Sequence, residues 1–397
     1  MIEAKGAAIM PRYTLQEKLR PAFGKGAPCD RTIGDHPDFT HLAGTDETAT
    51  CPIVTLFMDI ESSTRLELLY GPAETAKIKN AFLCTAIEMV HAFDGHVHRL
   101  QGDAVMAFFG GSTVRPENAA VDAINCAGAL WLFVKSTVIP TLQREGYDED
   151  FGIRIGVDYA PDAHWSSFGY PGVDEVTATG FGVSAAAKLQ HAAGRNQIML
   201  GQRLVEFLDL PDAVTKAKYV QRDGKEELEP FLLPNITLRD GKPHNYRKVL
   251  LRAEEYLRCG PLAEVAAQFT GDRNFQPLRL SMSVCREKGG ATIAGYSAAS
   301  LVLPKNHWIR FDLSLPFQPM FPYTVKFEVE NHGREAESDG GDTRGNHSTE
   351  KTVSSVSQHT NLVHWEHTAY RGLHYMTITV SNSSGTVARR RVGVFIE

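Results

Sequence analysis

Phe57-Met58-Asp59-Ile60-Glu61-Ser62-Ser63-Thr64 decides the fold. An apolar, β-branched run from Pro52 to Asp59 leads into it, which is the pattern of a buried strand. The run stops at an aspartate followed by a hydroxyl-rich turn. Arg99-Leu100-Gln101-Gly102-Asp103 repeats the arrangement, a strand ending in an aspartate at a tight turn. Between them Ala73 to Phe93 carries Ile78, Phe82, Ile87 and Val90 at helical spacing, after a Gly71-Pro72 start. That is enough chain to bring Asp59 and Asp103 together on neighbouring strands. Paired carboxylates at strand ends are a common way to hold magnesium or manganese beside a nucleoside triphosphate.

Working outward, His96 to Phe109 reads as a β-hairpin turning at Gln101-Gly102. Pro116 opens a long helix through Val134, with Ala119, Ala120, Ala123, Ala127 and Leu130 on its packing stripe. Phe151 to Tyr159 reads as a strand, Gly180 to His191 as a helix, Gln197 to Leu200 as a strand and Tyr246 to Leu251 as a closing strand. This alternation predicts an α+β domain over 51–250. Residues 1–50 lack periodicity and read as an arm. Ala253 to Gln268 predicts a helix interrupted at Gly260-Pro261, within a linker spanning 251–283. Beyond it, Trp308 to Leu315, Tyr323 to Val329, Val363 to Tyr370, Tyr375 to Val380 and Val387 to Ile396 alternate apolar and polar residues. Short strands of this kind predict a β-sandwich over 284–397. Glu335 to Ser354 is polar and Gly-rich and reads as a mobile loop.

With 397 residues, 43% hydrophobic and 22% charged, the chain is an ordinary globular one with enough length for more than one domain. Its net charge of −6 argues against a general nucleic-acid binder, though a local basic pocket can still take a small anion. The six cysteines form no C-x-x-C pair, which disfavours zinc sites and redox dithiols. There is no signal-peptide h-region, and the longest apolar stretch, near Ala127 to Val134, is too short to span a bilayer. The expectation is a cytoplasmic protein with reduced thiols and no membrane insertion.

Residues 51–250 resemble the catalytic domain of class III nucleotidyl cyclases. Four motifs match in family order: F-x-D-I-x-x-S-T at Phe57, G-D at Gly102-Asp103, R-x-G at Arg154-Ile155-Gly156, and the helix beginning at Gly180. Singly each is ordinary, since a lone aspartate at a strand end is usually a turn or cap residue; their order and spacing carry the likeness. The resemblance implies a ferredoxin-like β-α-β-β-α-β core and a head-to-tail homodimer with active sites shared across the interface. It implies two divalent cations, Mn or Mg, bridged by Asp59 and Asp103 with the Ile60 carbonyl. Phe57, Ser62, Ser63 and Thr64 are placed beside the substrate, the backbone N–H groups of Glu61 to Thr64 around its phosphates, and Arg154 on the triphosphate.

Four positions depart from the adenylyl and guanylyl patterns. The base-reading position four residues before Asp103 holds Arg99, and its partner position aligns with Thr177. These two offer a donor fork and a hydroxyl without a carboxylate, which favours uracil, with its two carbonyls. On the transition-state helix the family's N-x-x-x-R becomes Ser184 and Lys188, on one face at i, i+4. A hydroxyl and an ammonium there still suit the ribose and the α-phosphate, without arginine's fork.

Residues 284–397 resemble the AGS-C sensor domain through Val329-Glu330-Asn331-His332-Gly333, Glu335-Ala336, Arg344-Gly345 and Tyr370-Arg371-Gly372-Leu373-His374-Tyr375. A cyclase domain followed by AGS-C is similar to the pyrimidine cyclases of Pycsar antiphage systems. That likeness implies a pyrimidine cyclase making cyclic UMP or cyclic CMP for a separately encoded effector, under an unknown phage trigger, and Arg99 with Thr177 puts UTP and cyclic UMP first. The alternatives are a cytidylate cyclase, an adenylate cyclase with an unusual base pocket, and a degenerate nucleotide-binding module.

Overall fold

The computed structural model describes residues 13–149, 151–222, 224–231, 236–242, 244, 246–270, 278–317, 319–356 and 362–397. They form two compact units, one drawn from residues 1–20, 27–207 and 215–253, the other from 21–26, 208–214 and 254–397.

The first unit runs α1 (Thr14–Ala22), β1 (Thr48–Glu61), α2 (Ser63–Ala92), β2 (His96–Gln101), β3 (Ala104–Gly110), α3 (Pro116–Phe133), α4 (Ile139–Arg144), β4 (Gly152–Tyr170), β5 (Val173–Thr179), α5 (Phe181–Ala192), β6 (Gln197–Gly201), α6 (Gln202–Leu208), β7 (Thr215–Ala217), β8 (Tyr219–Arg222), β9 (Lys225–Leu228) and β10 (Lys248–Leu251). The main sheet has the order β2-β3-β1-β4-β6-β10-β7, with β5 paired to β4. Its first four strands are mutually antiparallel, and with α2 and α3 they make the β-α-β-β-α-β core. β1 is central, and its Val54, Leu56 and Met58 are fully buried.

Three local features position the site. Gly71, at φ 75° and ψ 171°, breaks α2. The helix read from residue 73 is therefore its second part, and a short first part starts at Ser63, directly behind the β1 aspartate. β4 continues past Tyr159 to Tyr170, longer than its sequence pattern suggests. A register shift between Cys51 and Ile53 lets β1 and β4 pass Pro52 and Pro161 without ending the ladder. Finally, α5 lies on β4 at backbone contact. A Cβ on Gly156 would sit 2.2 Å from the Gln190 nitrogen, and one on Gly182 would sit 2.5 Å from the Tyr159 oxygen. The glycine of the R-x-G motif thus sets how closely α5 approaches the sheet.

Residues 1–50 are more structured than an arm where described. Arg20 is buried and donates to the carbonyls of His91 and Ala92 and to Asp94, and Phe39 stacks on Trp165 at 4.0 Å. The apolar stretch read near Ala127–Val134 belongs to a longer continuous helical run, Pro116–Arg144. By length and composition that run can cross a membrane, but 72% of its most apolar window is buried, as in a core helix.

The second unit opens with α7 (Ala253–Arg258) and α8 (Ala263–Thr270), separated at Gly260-Pro261. Its strands are β11 (Arg279–Cys285), β12 (Thr292–Tyr296), β13 (Val302–Leu303), β14 (Trp308–Ser314), β15 (Tyr323–Glu330), β16 (His347–Val353), β17 (Leu362–His367), β18 (Gly372–Asn382) and β19 (Gly385–Ile396). They form two sheets, β12-β11-β14-β17 and β13-β19-β18-β15-β16. Phe311, Tyr323, Phe327, Ile378, Val380 and Val392 fill the core between them. Part of the stretch read as a mobile loop is regular structure. Arg334–Asp339 is a helix, α9, and β16 pairs along β15 from Tyr323↔Val353 to Val329↔His347. His347-Ser-Thr-Glu-Lys-Thr-Val is polar because it is an edge strand with little apolar area to bury.

Candidate active site

Strand pairing builds the site. Asp59 and Arg154 are direct cross-strand partners in β1 and β4. The guanidinium donates from Nε to Asp59 Oδ1 at 3.0 Å and from Nη2 to Oδ2 at 2.7 Å, a bidentate fork. Asp103 follows the β2–β3 turn. Its Oδ2 accepts from the Ile60 N–H at 3.2 Å, and its Oδ1 accepts from the Ser63 hydroxyl at 3.1 Å. The second carboxylate is therefore tied to the residue after Asp59 and to the start of α2. Burial pushes the Asp59 carboxyl above its ordinary pKa, and the Asp103 charge adds to this; the Arg154 fork opposes both. Ser62, at φ 60°, occupies the left-handed turn between strand and helix, and its hydroxyl donates to Glu61.

These residues open onto a cleft of about 1090 Å³. Phe57, Asp59, Ile60, Ser62, Ser63, Thr64, Arg99, Asp103, Arg154 and Lys188 all line it. Thr177 and Ser184 are not among its lining residues. Ser184 is exposed two turns before Gln190 on α5, and Thr177 lies on β5 opposite Ser166. Gln101, Gln190, His191 and Phe231 also line the cleft and were not singled out from the sequence. Gln190 is buried, and its side chain favours the ionised form of Asp59. The signal for it was the glycine at 156, which brings that turn of α5 onto the sheet.

Two contacts add to the sequence readings. Arg154, expected on the triphosphate, lines the cleft and forks onto Asp59, because strand register puts them face to face. The base-reading pair itself carries no carboxylate, but Glu175 on β5, outside the cleft's lining residues, pairs with Arg99. Arg99 donates from Nε at 2.9 Å and from Nη2 to the two Glu175 carboxylate oxygens, and His98 Nε2 lies 3.2 Å from Glu175 Oε1. Glu175 is two residues from Thr177 on the same strand face, so counting to Thr177 alone missed it. The segment before β1 braces both strands. The Gly34 carbonyl contacts His96 Nε2 at 2.8 Å and His98 Nδ1 at 2.9 Å, at a register shift between Val97 and Arg99. Asp35 Oδ1 accepts from the Val176 N–H at 3.3 Å.

The donor set fits a divalent cation. Two carboxylates meet at strand ends, and the guanidinium on Asp59 stands where a cation's charge would lie. No group of three or more His, Cys, Asp or Glu able to hold a metal occurs among the described residues. Two carboxylates leave most of an ion's ligands to substrate phosphate and water, as magnesium's usually are. Arg99, Arg154 and Lys188 set three cationic side chains beside Asp59, Glu61 and Asp103 in the cleft lining.

The comparisons agree with this architecture. Residues 264–397 match the Adenylyl/Guanylyl and SMODS C-terminal sensor domain. A cytidylate cyclase of Escherichia coli is 36% identical over 100% of this chain and 86% of its own length. A second cytidylate cyclase of that organism is 34% identical over 97% of this chain and 88% of its own length. The crystal structure of the adenylyl cyclase CyaB from P. aeruginosa is 18% identical, covering 52% of this chain and 95% of that one, with a TM-score of 0.42. The chain is a nucleotide cyclase: it belongs to the Pycsar-type nucleotidyl cyclases, with a C-terminal AGS-C sensor domain.

Proposed function

We propose that the chain is a pyrimidine nucleotide cyclase that converts CTP to 3′,5′-cyclic CMP and pyrophosphate, with UTP as the second-choice substrate. The carrying observation is the Arg99–Glu175 pair. Cytosine presents two adjacent acceptors, O2 and N3, beside the N4 amino group. With Nε and one Nη2 hydrogen of Arg99 held by Glu175, its remaining Nη1 and Nη2 hydrogens can donate to the first two, next to a carboxylate accepting from N4, which matches that order. Uracil places N3–H between its carbonyls, against one prong of the fork. The reading that put UTP first assumed that no carboxylate stood there. The names of the two E. coli relatives support the same choice.

In this reaction the ribose 3′-hydroxyl attacks the α-phosphorus, a P–O bond to the leaving pyrophosphate breaks, and the ring closes. Asp59, Asp103 and the Ile60 carbonyl would hold one or two Mg²⁺ or Mn²⁺ ions, which lower the pKa of the attacking hydroxyl and neutralise the triphosphate. Backbone N–H groups from Glu61 to Thr64 face the phosphates at the start of α2. Lys188 supplies charge near the α-phosphate, and Ser184 reaches a nucleotide only from the partner's side of a shared site. A homodimer of that kind is supported by the β4–β5 arm, which exposes Phe168 (47%), Tyr170 (81%) and Val173 (78%) at its tip. The product then serves as a second messenger for a separate effector in antiphage defence, with a phage-derived trigger; the sensor domain supports this role.

The test is turnover of each of the four NTPs with Mn²⁺, with products identified by mass. Cyclic CMP formation at the highest kcat/KM, cut at least tenfold by Glu175→Ala, is the expected result. A preference for ATP or GTP would overturn the pyrimidine assignment, and a preference for UTP would move this chain to the uridylate branch.

A further inference from the structure

We propose that the C-terminal β-sandwich binds a small, uncharged aromatic heterocycle bearing N–H donors, in a cleft between its two sheets at the end where β15 and β19 finish.

A sandwich core is normally closed by interdigitating side chains from both inner faces, at the density of an organic crystal. Here the closure fails at one end. Ile309 and Phe311 from one sheet, and Val329, Met376, Val394 and Ile396 from the other, leave an open cleft of about 230 Å³. That lies just below the ~300 Å³ at which drug-sized sites begin and suits one ring or two fused rings. The walls are aliphatic and aromatic, so water gains little there.

The mouth breaks the sandwich rule in a second way, with polar groups at inward-facing positions. Glu366 lies opposite Ile309 in the ladder, an inward position. It accepts from His347 Nε2 at 3.0 Å and is also bonded to His364 Nε2. His364 in turn stacks on Phe327. The other nitrogen of His347, Nδ1, faces the Gly345 carbonyl at 2.9 Å. Both ring nitrogens of His347 therefore face acceptors, an arrangement that favours the imidazolium: Gly345 raises its pKa, burial opposes this, and Glu366 adds to the rise. Glu366 is already engaged by two histidines, so a cationic ligand would gain little there and an anionic one would meet its carboxylate. His374 is spent internally: Nδ1 accepts from the His332 N–H, and Nε2 donates to the Tyr370 carbonyl.

What remains open at the mouth is acceptor capacity, beside one buried hydroxyl without a partner among the described residues, that of Tyr375. Asn331 donates its amide to the Gly345 carbonyl at 3.0 Å, and among the described residues its Oδ1 has no hydrogen-bond partner. Each Glu366 oxygen keeps a free lone pair. Acceptors at the mouth above an apolar slot select a flat apolar body with N–H groups on one edge. Indole and the amino-bearing nucleobases share that chemistry.

The experiment is calorimetric titration of the full chain with indole, adenine and cytosine, and with toluene as an apolar control. Val329→Phe fills the slot; Glu366→Gln keeps its shape and removes the charge. At least one N–H heterocycle is expected to bind in the millimolar range or tighter. Val329→Phe is expected to weaken it at least tenfold with melting temperature retained or raised, and Glu366→Gln at least threefold. No binding of any heterocycle up to 10 mM, toluene binding as well as the heterocycles, or undiminished binding to Glu366→Gln would each overturn the proposal. If Val329→Phe fails to fold, Glu366→Gln and the toluene comparison decide alone.

Discussion

Asp59 and Arg154 face each other across the β1–β4 ladder and are joined by two hydrogen bonds of 3.0 and 2.7 Å. Asp59 is thus held by a cation before any metal arrives. The pair is mostly buried, with side chains 13% and 24% exposed. Removing one partner leaves a poorly solvated charge.

Arg154→Ala is therefore expected to lower the stability of the metal-free protein by about 1–3 kcal/mol. Added Mn²⁺ should recover most of the loss. Melting curves with and without Mn²⁺ check this: the metal-induced shift should be larger in the variant than in the wild type.

Acid sensitivity follows from the same pair. Asp59 must be ionised to take a cation, and burial raises its pKa. The acid limb of kcat/KM is expected above the ~4 of an ordinary aspartate. Saturating Mn²⁺ should move that limb to lower pH, because the metal competes with the proton. Profiles at two Mn²⁺ concentrations test it.

Asp158 gives an independent pH signature. It is fully buried, accepts from the Tyr246 hydroxyl at 2.6 Å and from the Tyr159 N–H at 2.9 Å, and burial pushes its pKa up to about 7. Its folded value lies above its unfolded one. The folded state thus holds a proton that the unfolded chain has lost, between about pH 4 and 7. Stability from this group is fully present below pH 4 and declines as pH rises through 7. Relative to Asp158→Asn, the wild type is expected to lose on the order of 1 kcal/mol per pH unit between pH 5 and 7. Denaturant titrations of both proteins across that range read it directly.

Gly156→Ala probes the placement of α5. The added Cβ would meet the Gln190 nitrogen at 2.2 Å and the Ala186 oxygen at 2.3 Å, both backbone. Neither can rotate away, so the helix must shift. A destabilisation of about 2–4 kcal/mol is expected, with activity lost at temperatures where the fold persists, because Gln190, His191 and Lys188 move together.

Much of this geometry was legible in the chain. The two strand-end aspartates, the hairpin whose turn carries the second and the helix break at Gly260-Pro261 follow from local pattern, and the structure brings Asp59, Asp103 and Arg154 into one cleft. What escaped depended on register. Glu175 meets Arg99 only because β5 folds back along β4, and no local signal marks β5 as a strand. Gln190 reaches the cleft because Gly156 lets α5 sit close, which a helical wheel does not show. β16 looked like loop because an edge strand needs little apolar residue. Ser184 aligned by motif yet lies outside the lining of the cleft that the chain forms by itself.

The central claim is that Asp59 and Asp103 jointly hold the divalent ion on which cyclisation depends. It is tested most directly by measuring Mn²⁺ binding and CTP turnover together in the wild type, Asp59→Asn and Asp103→Asn, with circular dichroism confirming the fold. Each variant is expected to bind Mn²⁺ at least tenfold more weakly in the presence of a nonhydrolysable CTP analogue, and to lose at least 10³-fold in turnover. Turnover within tenfold of the wild type in either folded variant, or unchanged Mn²⁺ affinity in both, would contradict it.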